Sequence, residues 1–264
     1  MHICIRDKKK KDAFVSLFQV IKNCSILTNA TFESEGLFIQ GLDKSHICLF
    51  NVVISKKWFT IYDLSETDIA NKLKLCFDAN VFHSIISTKS DNQDLIIKTD
   101  DTNDTDMMYI HFESCENKKG EFKKSFKMPL ADYEYEEMHI PDVDYDAEFT
   151  VLSKEIADIF AQLSNFGNDI IINCSDEEVR LMTNGVTGEM RVDIPADDLS
   201  SYSVVEHEKI VLTYSLIYVN KMCITNKLSN EIDFSISNQC PMKIHYNLGD
   251  HSSLVFYIAP KMDE

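Results

Sequence analysis

The feature that most constrains the fold of this chain is a pattern that recurs at a fixed distance. Apolar side chains at helical spacing predict one amphipathic helix over residues 12–23 and a second that follows Ser153, a residue type suited to an N-cap. The two apolar faces consist of Phe14, Leu17, Phe18 and Ile21, and of Ile156, Ile159, Phe160 and Leu163. The offset of 142 residues that relates them also carries a strand start at Gly36 onto another at Glu178. This repetition indicates an internal duplication.

Each helix is followed by short alternating or apolar runs bounded by turn residues, a pattern typical of antiparallel strands. Weaker helical stretches over residues 80–88 and 215–225 interrupt these runs once in each half. Each half therefore contains a helix, a two-strand unit, further strands, a weaker helix and further strands. The sequence predicts an α+β fold of two similar domains, each with antiparallel sheets and two helices.

The two halves are joined by residues 131–148, which contain eight carboxylates and no basic residue. Self-repulsion and Pro141 favour an extended, solvated connector. The exception is Met138-His139-Ile140, an apolar island that a simple spacer does not require. We predict an N-terminal domain over residues 1–130, a connector over 131–146 and a C-terminal domain over 147–264.

The formal net charge of −17 is unevenly distributed. Residues 1–128 hold 18 Lys+Arg and 18 Asp+Glu, whereas residues 129–264 hold 8 and 25. At face value this acidity argues against a simple nucleic-acid binder, because phosphate contacts need clustered cations. The four lysines from Lys8 to Lys11, before the first helix, oppose the helix dipole and so do not serve helix stability. Two alternatives stay open: a solvated loop that aids solubility, or a phosphate-facing patch that includes Lys22.

Sites for catalysis, metals and cofactors are not expected. The eight cysteines are spread singly with no C-x-x-C, which favours reduced structural thiols over disulfides or zinc. Neither glycine-rich phosphate motif is present. His207 with Glu208, and the acidic cluster at residues 134–137, lack the surroundings that would separate two pKa values for acid–base catalysis. A membrane span is not expected, because no run of 18 apolar residues exists, and a secretory signal is not expected, because the N-terminus MHICIRDKKKK lacks an apolar h-region.

Four segments resemble the DNA sliding clamps of the proliferating cell nuclear antigen family. They are GLFIQGLDKSHICLFNVVI (residues 36–54), Met138-His139-Ile140-Pro141 with Tyr145, LSNFGNDIIINCSDEEVRLMTNGVTGEMRV (residues 163–192) and SLVFYIAPKMDE (residues 253–264). The resemblance extends over nearly the whole chain, with its motifs in the family's order. It implies that three copies join head to tail into a ring of six domains, with the helices lining the hole.

Subunit pairing in such a ring is implied to use residues 122–130 of one chain and 186–194 of the next. The two segments have opposite charge tendencies, which suits a heterologous interface. A closed ring also removes exposed strand edges. The implied interface residues are Phe122, Phe126, Met128, Met190 and Val192.

The resemblance also implies a docking pocket under the connector, which receives a short helical plug of two aromatic side chains and one aliphatic side chain. Polymerases, nucleases and ligases carry such plugs. The matching positions are Leu42, His46, Ile47, Met138, Ile140, Pro141, Cys240, Pro241, Tyr257, Ile258, Ala259 and Pro260. They are mostly apolar, as an anchor pocket requires, and they would explain the apolar island.

The implied DNA-facing cations are fewer than the family pattern demands. The candidates are Lys8, Lys9, Lys10, Lys11, Lys22, Lys89, Lys221 and Lys227. Family cations fall on Val15, Ser16, Asp158, Ala161 and Ile224, and the lysine that carries ubiquitin in relatives falls on Asp176. A clamp needs little affinity for DNA, because topology retains it.

The function implied is a non-enzymatic processivity factor without cofactors. Its partners would be encircled duplex DNA, a clamp loader, enzymes with plug peptides and further copies of itself, with no membrane. It would act in the nucleus or, if a large DNA virus encodes it, at sites of viral DNA replication. The alternative is an interaction scaffold of clamp fold, or one subunit of a hetero-ring, that does not itself act as a replicative clamp.

Overall fold

The computed structural model describes residues 1–65, 70, 72–99, 106–114, 122–132, 136–205 and 209–261. In the first half, the elements are β1 (His2–Ile5), α1 (Lys8–Cys24), β2 (Leu27–Glu33), β3 (Gly36–Leu42), β4 (Cys48–Ser55), β5 (Ile61–Asp63), β6 (Leu73–Asp78), α2 (Ala79–Ile86), β7 (Gln93–Thr99), β8 (Met107–Ser114) and β9 (Lys124–Pro129). In the second half, they are β10 (Ala147–Leu152), α3 (Ser153–Leu163), β11 (Asp169–Cys174), β12 (Glu178–Gly185), β13 (Gly188–Pro195), β14 (Ser201–Val204), β15 (Ile210–Ser215), α4 (Leu216–Met222), β16 (Glu231–Ser237), β17 (Cys240–Gly249) and β18 (Ser252–Ile258).

Over the residues that the structure describes, the elements of the two halves follow the same order. A 3₁₀ turn even follows the fourth strand of each half, at Lys56–Trp58 and at Ala196–Asp198. Strands β3 and β12 begin at Gly36 and Glu178, the two positions that the repeat predicts. The predicted duplication and the α+β fold with antiparallel sheets are therefore confirmed.

The chain divides into two compact units, each built from three segments. The first unit comprises Met1–Gly41, Asn51–Glu137 and Leu248–Leu254, and the second comprises Leu42–Phe50, Met138–Asn247 and Val255–Glu264. Described residues of the predicted connector, 131–132 and 136–146, lie outside the helices and strands. The boundaries 1–130, 131–146 and 147–264 stay a prediction.

The sheets of the two units follow the same plan. In the first unit the strand orders are β5-β1-β7-β8-β9 and β6-β2-β3-β4, and in the second they are β14-β10-β16-β17-β18 and β15-β11-β12-β13. Strands β18 and β4 are neighbours, and each contributes residues to both units. In the first unit the Ser55 amide donates to Ser252 Oγ at 2.9 Å, and in the second the Ala259 amide donates to the Ile47 carbonyl at 3.0 Å.

Helix α1 packs on α2 through an aromatic core in the first unit. The predicted apolar face of α1 is buried, and its Phe14 and Phe18 make edge contacts with Phe82 at 6.2 and 4.6 Å between ring centroids. The helix begins earlier than predicted, at Lys8 and not at residue 12. The carboxylate of Asp7 caps this end by accepting from the Lys10 amide at 2.9 Å, so the lysine run forms the first turn of the helix.

Helix α3 packs on α4 in the second unit, over a stacked pair formed by Phe149 and Phe234 at 4.9 Å. The predicted N-cap is wrong, because Ser153 is the first helical residue and its hydroxyl donates to the Ser229 carbonyl at 2.7 Å. Leu152 occupies the cap position without a side-chain hydrogen bond. The weaker helices, α2 and α4, are shorter than the predicted ranges.

The described cysteines are free thiols, all of them buried except the half-buried Cys240. Cys115, His207 and Glu208 lie outside the described residues, as does part of the acidic cluster at 134–137. Among the residues that the structure does describe, no group of three or more His, Cys, Asp or Glu side chains could hold a metal ion. No helix in the described part of the chain is long and apolar enough to span a membrane.

Candidate functional site

An apolar cavity of about 290 Å³ lies in the second unit, between the connector and the ends of three strands. Extended connector residues form one wall, and the start of β17, the end of β18 and the loop before β4 form the others. Its lining residues are Leu42, His46, Ile47, Leu49, Met138, His139, Ile140, Pro141, Val143, Tyr145, Cys240, Pro241, Tyr257 and Ala259. A cavity of this size and composition suits a few large apolar side chains of a partner.

Ten of the twelve residues assigned to a pocket from sequence line this cavity. The two others do not: Ile258 is fully buried in the sheet, and Pro260 is half-buried outside the lining. The sequence reasoning missed Leu49, His139, Val143 and Tyr145. Alternation along extended backbone was the available signal, since Leu49 follows Ile47 by two residues and Val143 and Tyr145 continue from Pro141 at the same interval.

The two tyrosines of the cavity stay neutral. Burial, followed by the neighbouring thiol of Cys240, raises the pKa of Tyr145 well above its usual range. Burial, followed by the nearby Asp142 carboxylate, also raises the pKa of Tyr257. Their hydroxyl groups therefore remain uncharged in the lining of an apolar cavity.

Asp43 shapes the loop that carries two residues of the cavity wall. Its carboxylate accepts hydrogen bonds from the backbone amides of Ser45 at 2.9 Å and of Ile47 and Cys48 at 2.7 Å. Although burial favours the neutral acid, the amides of Cys48 and Ser45 hold the pKa of Asp43 below its usual value. His46 at the tip has a left-handed backbone with φ of 58°. The cavity wall thus depends on one ionised side chain.

A larger cavity of about 470 Å³ lies in the first unit and has a different character. Its lining combines Lys74, Asp132, Glu136 and Glu137 with polar side chains of β2 and β3. This mixed-charge lining does not suit an apolar plug.

Two of the six edge strands in the described sheets match the segments predicted to pair between subunits. Strand β9 ends the five-stranded sheet of the first unit, and β13 ends the four-stranded sheet of the second. Phe122, just before β9, is 77% exposed, while Phe126, Met190 and Val192 are half-buried. The prediction that Met128 is an interface residue is wrong, because its side chain is only 2% exposed and packs inside the first unit.

The lysine run makes mostly internal contacts. Lys8 pairs with Asp91 at 2.5 Å, and Lys10 pairs with Asp250 at 2.7 Å and lies over the Trp58 ring. Lys11 is 1% exposed, and its ammonium group donates to the carbonyls of Asp91 at 2.8 Å and Gln93 at 2.5 Å. The prediction that Lys11 faces DNA is therefore withdrawn, because a buried ammonium cannot reach phosphate. The alternative that the lysine run is a solvated loop is also wrong for Lys11, because this side chain is buried.

The other cations predicted to face DNA differ in exposure and in their side-chain partners. Lys89 is almost buried beside Asp12, at 2.5 Å. Lys22 lies 3.0 Å from His83, and Lys221 lies over the ring of Tyr218 on the exposed side of α4. Lys9 and Lys227 are exposed. The remaining candidates for DNA contacts are therefore Lys9, Lys22, Lys221 and Lys227.

The exposed sides of α3 and of the end of α4 carry few unopposed cations. On α3 the sequence reasoning omitted one exposed cation, Lys154, but Glu155 and Asp158 flank it on the same exposed side. Ile224, which follows α4 where the family pattern has a lysine, is 52% exposed. Ser16 is buried and so cannot face a ligand at all.

The comparison with known families decides what these features belong to. Residues 9–137 match the family model of the proliferating cell nuclear antigen N-terminal domain, and residues 139–261 match that of its C-terminal domain. The chain belongs to the proliferating cell nuclear antigen family. Members of this family are non-enzymatic clamp proteins, and the chain has their clamp fold.

A solved structure agrees with the family assignment. The fold is similar to a chain in the crystal structure of the PCNA2–PCNA3 complex from Sulfolobus tokodaii, with a TM-score of 0.85 and 20% sequence identity over 99% of each chain. At this identity the similarity shows the fold alone. The clamp fold is compatible both with a sliding clamp and with a subunit of a hetero-ring.

Proposed function

We propose that this chain is a DNA sliding clamp and polymerase processivity factor. Three copies join head to tail into a six-domain ring that encircles duplex DNA without regard to sequence. The apolar cavity, with Leu42, Ile140 and Tyr257 in its wall, tethers replication and repair enzymes. The ring itself performs no chemistry and needs no cofactor.

This proposal rests on which of the described strands have a neighbouring strand on one side only. The ninth strand of the second half, β18, lies beside the fourth strand of the first half, β4. Their counterparts in the duplication are β9 and β13, and both are sheet edges. Pairing β9 of one copy with β13 of the next would repeat between chains the arrangement that β18 and β4 make within one. A repeated heterologous contact of this kind either closes into a ring or continues as a filament.

The chemistry of the two edges supports the same pairing. Strand β9 carries exposed Lys127 and its approach carries Lys123, whereas β13 carries exposed Glu189 beside an ion pair of Arg191 with Asp193. Half-buried apolar side chains alternate with these charges, including Phe126 and Val192. Edge pairing would cover this apolar surface and satisfy the open backbone groups, and the opposite charges would favour the correct orientation.

The acidic composition is compatible with DNA in the hole of a ring. The excess of carboxylates lies after residue 128, and much of it lies in the connector. A few cations, Lys9, Lys22, Lys221 and Lys227, would make weak, screened phosphate contacts. Weak contacts suit a clamp, because encirclement provides retention and sliding needs low friction.

The proposed partners follow from the cavity and from the need to open a ring. Peptides of polymerases, nucleases and ligases would insert a helical plug of one aliphatic and two aromatic side chains. A clamp loader would open the ring for DNA entry. The site of action would be the nucleus or, for a chain encoded by a large DNA virus, the place of viral DNA replication.

A second candidate function is a subunit of a hetero-ring, or a clamp-fold scaffold that does not encircle DNA. The exposed Asp158 on α3 and the exposed Ile224 just after α4 favour it, since neither side chain attracts phosphate. The structurally similar chain from Sulfolobus tokodaii is named as part of a complex of two different clamp proteins.

Two measurements test the proposal. Sedimentation of the purified protein should show a species of about three times 30.3 kDa, and a monomer at micromolar concentration would favour the hetero-ring. Polymerase run length on primed circular DNA should then increase when the protein and a matched loader are added. Unchanged run length with an assembled trimer would contradict the tethering function.

A further inference from the structure

The loop from Asp43 to Cys48 is held from outside by one residue of α4. The hydroxyl of Tyr218 donates to Asp43 Oδ2 at 2.8 Å, across 175 residues of sequence. Both residues belong to the second unit. Tyr218 is half-buried and is not part of the cavity lining, so any effect it has on the cavity acts through the loop.

The four hydrogen bonds that the Asp43 carboxylate accepts divide evenly between its two oxygens. Oδ1 accepts from the amides of Ile47 and Cys48, and Oδ2 accepts from the amide of Ser45 and from Tyr218. Tyr218 is thus the partner from outside the loop, and it fixes the carboxylate relative to the helix. Without it, local bonds alone would orient the carboxylate.

The loop requires such support because its tip is conformationally unfavourable. His46 adopts a left-handed backbone, which residues with a Cβ atom rarely occupy unless their surroundings impose it. The side chain of His46 lines the cavity together with Ile47. Small changes at Asp43 would therefore move two wall residues at once.

We propose that Tyr218 is a positioning residue for partner binding: it holds Asp43, and through Asp43 it presets His46 and Ile47 for an incoming plug. This inference rests on the proposed function of the cavity. The same side chain lies under Lys221 on the exposed side of α4, at 6.0 Å from ring centroid to ammonium nitrogen. Tyr218 thus connects the cavity wall to a helix surface that we propose faces DNA.

The test compares Tyr218→Phe with the wild type in binding a fluorescein-labelled synthetic peptide that presents one aliphatic and two aromatic side chains on a helical turn. We expect about tenfold weaker binding, because a hydrogen bond to an ionised group is among the stronger ones and the loop loses its preset conformation. Tyr202→Phe is the matched control in the same unit, since its hydroxyl donates to the Ser175 carbonyl at 2.6 Å, outside the cavity. It should bind like the wild type.

Two further readouts separate positioning from general destabilisation. Hydrogen exchange of the Ile47 and Cys48 amides should accelerate in Tyr218→Phe and not in Tyr202→Phe. In an Asp43→Asn background, Tyr218→Phe should weaken peptide binding less than it does alone, because the hydrogen bond of Tyr218 to the Asp43 carboxylate is already altered there.

The outcomes distinguish the inference from the function on which it rests. If the wild type binds the peptide and Tyr218→Phe binds it equally well, the inference is overturned while the docking function stands. Full additivity of the two substitutions would also overturn it. If the wild type fails to bind any such peptide, the proposed docking function is contradicted, and the inference with it.

Discussion

The ammonium nitrogen of Lys22 lies 3.0 Å from Nδ1 of His83, and this hydrogen bond joins the last turn of α1 to α2. On the other side of the ring, Nε2 lies 3.2 Å from the hydroxyl of Ser87. Because an ammonium group can only donate, Nδ1 is the acceptor and the proton of the neutral ring sits on Nε2. Burial, followed by the charge of Lys22, lowers the pKa of His83 below its ordinary value of 6.5.

The first prediction concerns stability at acid pH. The unfolded chain takes up a proton at His83 near pH 6.5, whereas the folded protein takes it up only at lower pH. The contribution of neutral His83 to the free energy of unfolding should therefore be complete above pH 6.5 and should decrease as the pH falls below that value. His2 and His111, whose pKa values burial also lowers, act in the same direction.

Urea denaturation at several pH values would check this dependence. His83→Gln should remove part of the loss of stability below pH 6.5. His251→Gln, at an exposed turn, is the control and should retain the wild-type dependence. A His83→Gln variant with an unaltered pH profile would show that the Lys22 contact does not discriminate against the charged ring.

The second prediction concerns which lysines serve sliding. Lys9 and Lys22 point to solvent or to a neutral partner, whereas Lys56 pairs with Glu35 outside the helices. The double variant Lys9→Glu, Lys22→Glu should shorten polymerase runs on primed circular DNA severalfold in the presence of a loader. Lys56→Glu should have little effect. If Lys56→Glu shortened polymerase runs as much as the double variant, Lys9 and Lys22 would have no specific role in sliding.

The third prediction separates the roles of neighbouring lysines. Lys11→Met should lower the free energy of unfolding by about 3 kcal/mol, because it leaves the buried carbonyl of Gln93 and the part-buried carbonyl of Asp91 without their donor. Lys9→Met, at an exposed position of the same helical turn, should change it by less than about 0.5 kcal/mol. Chemical denaturation measures both. Comparable losses would mean that the burial of Lys11 is not what stabilises this end of α1.

The fourth prediction concerns assembly through the β9 edge. Phe126→Asp should convert the trimer into a species of about 30.3 kDa in sedimentation, since a charge would then lie in the apolar stripe of the interface. Val53→Asp places the same charge at an exposed site of β4, a strand with neighbours on both sides, and should leave assembly intact. Persistence of the trimer in Phe126→Asp would exclude β9 as the subunit edge.

The fifth prediction concerns the anchors of the cavity. Ile140→Ser and Tyr257→Ser should each weaken plug-peptide binding by at least about thirtyfold, the effect expected for loss of a buried apolar anchor. Asp144→Asn changes an exposed connector residue outside the lining and should alter affinity by less than about twofold. Fluorescence anisotropy measures affinity, and sedimentation verifies that the ring persists. Anchor variants that bind normally would place the docking site elsewhere.

Local features were predictable from the sequence because they depend on short-range periodicity. The buried face of α1 follows from the spacing of Phe14, Leu17, Phe18 and Ile21, and the strand starts at Gly36 and Glu178 follow from the repeat. Most of the cavity lining followed from the family motifs. Helix ends were less predictable, because the caps depend on single polar contacts, such as that of Asp7 with the Lys10 amide.

By itself, the sequence determined the duplicated order of elements, the acidic connector with its apolar island, and the family, since all three lie in residue types and their spacing along the chain. Only the tertiary structure decided that Lys11 is buried while Lys9 is exposed, that β9 and β13 are sheet edges, and that Tyr218 holds the loop at Asp43. These properties depend on which distant segments meet. Burial, strand pairing and a hydrogen bond across 175 residues arise when the chain packs, and no local pattern specifies them.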